Sequence, residues 1–263
     1  MIIVKIGGGA SINLEGVIAD LAEIETPFLI VHGANALRDH IAERLGSPKK
    51  VITSASGYSS VLSDETALDN IMMAYSGLRN KRIVELCHRH GVNAVGLSGL
   101  DGKLVRGERN KGIRVKEGGK MRIVRDFSGK PKTINVHLLN LLLDNGYVPV
   151  ITVPIIDENN FAINTENDDV INVIQQEMQA DMILQLIEAP GFLDDPQNPN
   201  SLVEKMTKLD LAAREEQVEG RMKRKMLALR KLFESGAQTV VISDGRTEHP
   251  VKDALSGKGT RIS

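Results

Sequence analysis

Six runs of the chain are apolar at almost every position: residues 2–6, 28–31, 94–97, 148–153, 182–187 and 239–242. A strand with one wet face alternates apolar and polar residues, whereas a continuous run leaves neither face for water. These runs therefore predict strands buried on both sides, as in a parallel sheet. Between them the apolar spacing becomes helical. Leu14, Val17, Ile18, Leu21 and Ile24 recur every three or four residues, and Asn13 stands ready to cap them. Residues 36–45 follow the second strand and stop at Gly46, while Ser63 is placed to cap a long segment reaching His90, broken at Gly77. Residues 134–145 and 168–178 read as further helices. A last one opens after Gly220 and stops at Gly236, with Met222, Met226, Leu229 and Phe233 as its apolar stripe. Strand and helix alternate along the whole chain, which predicts an α/β fold with helices on both faces of a mainly parallel sheet.

Composition narrows the function. The 263 residues are 41% hydrophobic and 25% charged, enough for a large core in one domain or two lobes. A net charge of -1 gives no global field for nucleic acid or an anionic membrane. No apolar run reaches the roughly 20 residues of a membrane span, and the first stops at Gly7, too short for a secretion signal. Cys87 is the single cysteine, which excludes an internal disulfide and a cysteine metal cluster. It reads as core packing in a cytoplasmic protein. Aromatics at 3% and no tryptophan argue against base-stacking platforms. One stretch departs from this neutral background. Residues 103–132 carry eleven Lys or Arg against three acids, with glycines at 107, 112, 118, 119 and 129. They predict hairpins projecting from the sheet, either as a solvated face or as a docking surface for an acidic partner.

Candidate chemistry begins where the first strand ends, in VKIGGGAS. A strand ending in glycines offers backbone N–H groups at the carboxyl edge of the sheet, where α/β proteins bind ligands. The stretch matches neither the Walker loop nor the dinucleotide fingerprint, so a phosphate loop and a plain turn both remain open. The second strand repeats the design with His32, Gly33, Ala34 and Asn35 at a helix start. Two such turns side by side would make one anion site, with Gly7, Gly8, Gly33 and Ala34 as its loops. Lys5 interrupts an otherwise apolar strand. A buried cation costs several kcal/mol unless it meets a negative charge, which a bound phosphate would supply. Lys225, three after Met222 and four before Leu229, borders an apolar stripe; snorkelling and function are both open there. Asn164, Glu166, Asn167, Asp168 and Asp169 crowd a helix entrance, as caps or as carboxylates that hold lysines or join Mg²⁺.

In order and spacing, VKIGGG, VHGAN, NAVGLSGLDG, AINTENDD, APGFL and GRMKRKM resemble the amino acid kinase family, and most of all its N-acetylglutamate kinase group. TSASGYSS, GLSGLDGKLVRGERN and GRMKRK resemble the branch that acts on amino acids linked to a small acidic carrier, the LysW-aminoadipate and LysW-glutamate kinases of lysine and arginine biosynthesis. The resemblance implies a three-layer αβα sandwich. Residues 1–178 would bind the acyl acceptor and residues 179–263 ATP with Mg²⁺, and a side-chain carboxylate would become an acyl phosphate. It implies Lys5 on the transferred phosphoryl group, Gly8 and Gly33 as N–H donors, Asp168 between two lysines, and Lys225 on the ATP side. Asn164, Ser56, Gly57 and Glu166 would form the substrate side, with no resident metal site. Arg106, Arg109 and Lys111 would lead the docking of a LysW-like carrier to a homodimer, with no nucleic acid or membrane partner. Three positions depart from the family pattern. Ala34 stands where glycine is usual, and Val61 where an arginine grips the acceptor's α-carboxylate. Glu188 and Ala189 replace a Ser/Thr-Asp or Thr-Asn pair. They keep two alternatives open, a kinase for free N-acetylglutamate and a non-catalytic sensor of the same fold.

Overall fold

The computed structural model describes residues 1–53, 59–117, 120–195, 197–198, 200–217 and 220–263; the side chains at 53, 59–60, 116–117, 217 and 220–225 lie outside that description. Its centre is an eight-stranded sheet. From one edge the order is Lys205–Met206, Thr260–Ile262, Thr239–Asp244, Met182–Ile187, β1 (Ile2–Ile6), β2 (Phe28–His32), Val148–Thr152 and Ala94–Ser98. Thr260–Ile262 runs antiparallel to Thr239–Asp244, and the strands from Thr239–Asp244 to Ala94–Ser98 are parallel to one another. All six apolar runs are strands of this sheet, each within two residues of its expected bounds. Burial on both faces explains their composition: Ile3, Val4, Ile6, Leu29, Ile30 and Val31 are completely enclosed.

Helices cover both faces, giving the three-layer αβα sandwich. One face packs α1 (Leu14–Leu21), the Asn80–Arg89 helix and the Pro250–Leu255 helix through Val17, Ile18, Ile83, Cys87 and Val251. The other packs the Asn167–Met178 and Gly220–Glu234 helices through Ile171, Ile174, Met226, Leu229 and Leu232. Beside them lies α2 (Asn35–Arg44), lodging Leu37 and Ile41 against the same core. Asn13 caps α1 as expected, its side chain accepting from the Gly16 N–H at 3.0 Å.

The long segment differs from its expectation in two ways. Asp64, not Ser63, is the cap; its side chain accepts from the Ala67 N–H at 2.9 Å. Nor does the chain break at Gly77. A π-helical stretch, Met72–Arg79, joins Glu65–Ile71 to Asn80–Arg89. Ala74 and Tyr75 pack into one core while Ile83 and Cys87 pack into the other, so one continuous segment serves both faces. The helix expected over 134–145 begins later, at Val136, because Ile134 ends a strand and Asn135 caps from outside. The basic stretch forms antiparallel structure. Val105–Arg109 pairs with Gly129–Ile134, and Ile113–Glu117 with Lys120–Val124.

β1 lies between β2 and Met182–Ile187, where connections leave in opposite directions. The carboxyl end of such a strand is where open α/β sheets place ligands.

Candidate active site

The site grows from the end of β1. Lys5 sits in register with Val31 and Gln185, on the same face of the strand as Ile3. Its ammonium pairs with the Asp168 carboxylate, from the second residue of the Asn167–Met178 helix. Both side chains are largely enclosed, 16% and 31% exposed. Burial alone suggests bound phosphate as the partner of Lys5, and the family resemblance adds Asp168; in the structure Asp168 meets the charge. An ion pair this sheltered is held by its geometry, and an arriving phosphoryl group would share Lys5 with Asp168 rather than find it unpaired.

The two glycine turns touch. A methyl group on Gly33 would lie 3.0 Å from the Gly8 Cα and N. One on Gly8 would lie 2.7 Å from the Ala34 and Asn35 backbone nitrogens and 2.0 Å from Asn35 Oδ1. Only glycine allows that approach. The Ala36 N–H donates to Gly8 O at 3.0 Å, tying the first turn of α2 to the loop, and the Gly8 N–H has no partner among the described residues. Gly7 and Gly33 are more constrained: their N–H groups donate to Leu186 O and Ile6 O, both at 2.9 Å. Ala34 occupies the cap position of α2 without a side-chain bond. The N-termini of α2 and of the Asn167–Met178 helix both open here, and helix N-termini favour anions.

Behind the loop, His32 is completely buried. Its Nδ1 lies 3.3 Å from Gly33 O and its Nε2 3.1 Å from Asn80 Nδ2, which also donates to Val150 O at 2.9 Å. That network assigns the proton to Nδ1, donating to Gly33. Burial pushes the imidazole pKa down to about 3, so the ring stays neutral and acts as a brace for the phosphate turn. Glu188 holds its carboxylate against Gly9 and accepts from the Ser11 N–H at 2.6 Å.

On the acceptor side, Asn164 donates through Nδ2 to Ser63 Oγ at 3.1 Å, and its backbone N–H donates to Phe127 O at 2.7 Å. Ser63, expected to cap a helix, instead receives this bond and donates its N–H to Asp126 Oδ1 at 2.9 Å. Asn164, Ser63 and Val61 line one cavity with α2. Glu166 precedes the Asn167–Met178 helix, exposed and without a side-chain capping bond. Asp169 pairs with Lys130 at 2.7 Å. Ser56 and Gly57 lie outside the described residues, as does the Lys225 side chain; the Lys225 backbone belongs to the Gly220–Glu234 helix.

The three docking candidates diverge. Arg106 and Lys111 are exposed. Arg109 is engaged: its guanidinium lies 3.9 Å from the Phe127 ring centroid, its Nε donates to Asp126 O at 3.3 Å, and its N–H donates to Glu158 Oε2 at 3.0 Å. Sequence reasoning passed over Arg38, Lys49, Lys50 and Asp126. Each reads as an ordinary surface charge until the fold brings it to the site.

The sequence model of the amino acid kinase family matches residues 1–244, and the chain belongs to that family. It is 39% identical to the LysW-aminoadipate kinase of Thermus thermophilus, over the full length of both chains. It is 38% identical to the LysW-aminoadipate kinase of Deinococcus radiodurans, over all of this chain and 91% of that one. Among solved structures it superposes on N-acetylglutamate synthase from Neisseria gonorrhoeae, complexed with coenzyme A and N-acetyl-glutamate, with a TM-score of 0.79. That match has 18% identity and spans all of this chain and 59% of the synthase chain, a likeness of fold.

Proposed function

We propose that the chain transfers the γ-phosphoryl group of MgATP to the side-chain carboxylate of an amino acid linked to a small acidic carrier of the LysW kind. The product is an acyl phosphate. The observation that carries this reading is the Lys5–Asp168 pair, set under two glycine turns packed backbone to backbone at the carboxyl edge of the sheet. A carboxylate is already anionic and needs no general base. Catalysis then reduces to positioning and to stabilising charge on the phosphoryl oxygens. Lys5, the Gly8 N–H and the two helix N-termini suit that task, with Lys225 as a second cation from the nucleotide side. Among the described residues no group of three or more His, Cys, Asp or Glu could hold a metal. Mg²⁺ would arrive on the triphosphate, since the ion keeps waters and takes few protein ligands.

Residues 1–178 would bind the acceptor and residues 179–263 the nucleotide. The relatives named as LysW-aminoadipate kinases favour a carrier-linked aminoadipate or glutamate over a free acid. The exposed Arg106 and Lys111 suit an acidic carrier. No described helix is long and apolar enough to cross a membrane. A cytoplasmic location and a homodimer are part of this proposal. ADP release measured with LysW-linked aminoadipate, LysW-linked glutamate and N-acetylglutamate tests the reading. Turnover of a carrier-linked acid is expected. Turnover of N-acetylglutamate only would make the protein a kinase of the free acid, and ATP binding without turnover of any acceptor would make it a sensor.

A further inference from the structure

A cavity of about 370 Å³ opens between α2, residues 46–50 and the Glu65–Ile71 helix, with Val61 reaching it from the end of the Val51–Thr53 and Ser59–Val61 hairpin. Arg38, Lys49, Lys50, Val61, Ser63 and Asn164 are among its walls. Three of these are cations, and two carboxylates answer them. Asp39 Oδ1 receives Arg38 Nε at 2.9 Å and Nη2 at 2.6 Å, while its Oδ2 receives Lys49 Nζ at 2.5 Å. Asp64 Oδ2 receives Lys50 Nζ at 2.9 Å. One positive charge is left over, so the cavity suits one further carboxylate. Arg38 is the best placed to hold it. Its side chain is only 17% exposed, its Nη1 makes no hydrogen bond among the described residues, and a planar guanidinium matches a carboxylate in shape.

The geometry points to Arg38 as the residue that receives the acceptor's free carboxylate, with Lys50 adding charge and Asn164 Oδ1 open to an adjacent N–H. This inference rests on the proposed carboxylate kinase activity and says which residues choose its acceptor. Val61 faces the same cavity from the hairpin, where the family resemblance implies an arginine. Arg38 would then supply from α2 the guanidinium that the resemblance places on the hairpin. That placement matters mechanically. The Arg38 N–H donates to Ala34 O at 2.8 Å, so the arginine stands one helical turn from the phosphate loop. Carboxylate grip and phosphate turn then belong to one rigid element, and the distance from the acceptor to the phosphoryl group does not depend on the hairpin.

The test is a swap. Arg38→Val should raise KM for LysW-linked aminoadipate by roughly 10- to 100-fold, the loss of a charged hydrogen-bonding partner. KM for ATP should stay near the parent value. Adding Val61→Arg to that variant should recover most of the loss. An unchanged acceptor KM in Arg38→Val overturns the inference, and so does a loss that Val61→Arg fails to rescue, since Arg38 would then be structural. Calorimetric titration with N-acetyl-L-2-aminoadipate decides the case without turnover. Binding that disappears in Arg38→Val and returns in the double variant upholds the inference even where the kinase reading fails. Equal binding by the parent and both variants, or none by the parent, refutes it.

Discussion

Lys5 is the residue on which the account turns. A lysine inside a strand of isoleucine and valine is a conflict visible in the first six residues, and the conflict marks Lys5 as a candidate before any fold is known. Its resolution, the Asp168 carboxylate, comes from the family resemblance and not from the residues around Lys5. Asp168 is 163 positions away, and no local spacing pairs the two; the fold brings them together by laying the Asn167–Met178 helix over the end of β1. Lys5→Met keeps the stem and removes the charge. It is expected to lower kcat by roughly 100- to 1000-fold, the scale for losing one preorganised electrostatic group, with the far-ultraviolet circular dichroism unchanged. A kcat within a few-fold of the parent would remove Lys5 from the phosphoryl site. Arg38 shows the opposite case. In sequence it is one more base on a polar helix, and only the cavity behind α2 distinguishes it from Arg44.

Among the elements, the segment from Glu65 to Arg89 is helical as its pattern predicts, but continuous through Gly77, where the pattern predicts a break. A glycine inside a helix costs about 1 kcal/mol relative to alanine. Burying Ala74 and Tyr75 on one side and Ile83 and Cys87 on the other outweighs that, at roughly 1.5–3 kcal/mol for each large apolar side chain. Pattern reading registers the glycine but not both cores. The same segment supplies Asn80, which fixes His32 behind the phosphate turn. The burial of that ring makes stability depend on pH. The folded pKa of His32, about 3, lies below the ordinary 6.5, so between those values the unfolded chain binds a proton that the native ring refuses. Stability contributed by the neutral ring is fully present above pH 6.5 and falls on acidification, by about 1.4 kcal/mol per pH unit within that window. Urea unfolding at pH 6.5 and pH 5 should therefore differ by about 2 kcal/mol more in the parent than in His32→Gln. The same difference in both proteins would show that the ring is protonated in the native state.

At the scale of the whole molecule, the six parallel central strands and the helices on both faces follow from the apolar runs, while the strands Lys205–Met206 and Thr260–Ile262 at one edge do not. Nor does the sheet order. That β1 is central, with β2 on one side and Met182–Ile187 on the other, depends on pairings between distant segments. That order makes two glycine turns and a helix N-terminus converge. The basic stretch is a feature of this scale too, since its charges act together at a distance. The exposed Arg106 and Lys111 stand apart from Arg109, which is occupied with Phe127 and Asp126. Arg106→Gln with Lys111→Gln should raise KM for the carrier-linked acceptor and flatten its dependence on salt, leaving KM for ATP unchanged. A parent-like salt dependence in the double variant would move the docking surface elsewhere.

The central claim is that a carboxylate on a carrier-linked amino acid becomes an acyl phosphate. Hydroxylamine intercepts acyl phosphates as hydroxamates. The protein should be incubated with MgATP, LysW-linked aminoadipate and hydroxylamine, and the carrier weighed by mass spectrometry. The account predicts a carrier that gains the mass of a side-chain hydroxamate, in step with ADP and only when Lys5 is present. ATP bound without hydroxamate on either LysW-linked aminoadipate or LysW-linked glutamate would contradict it.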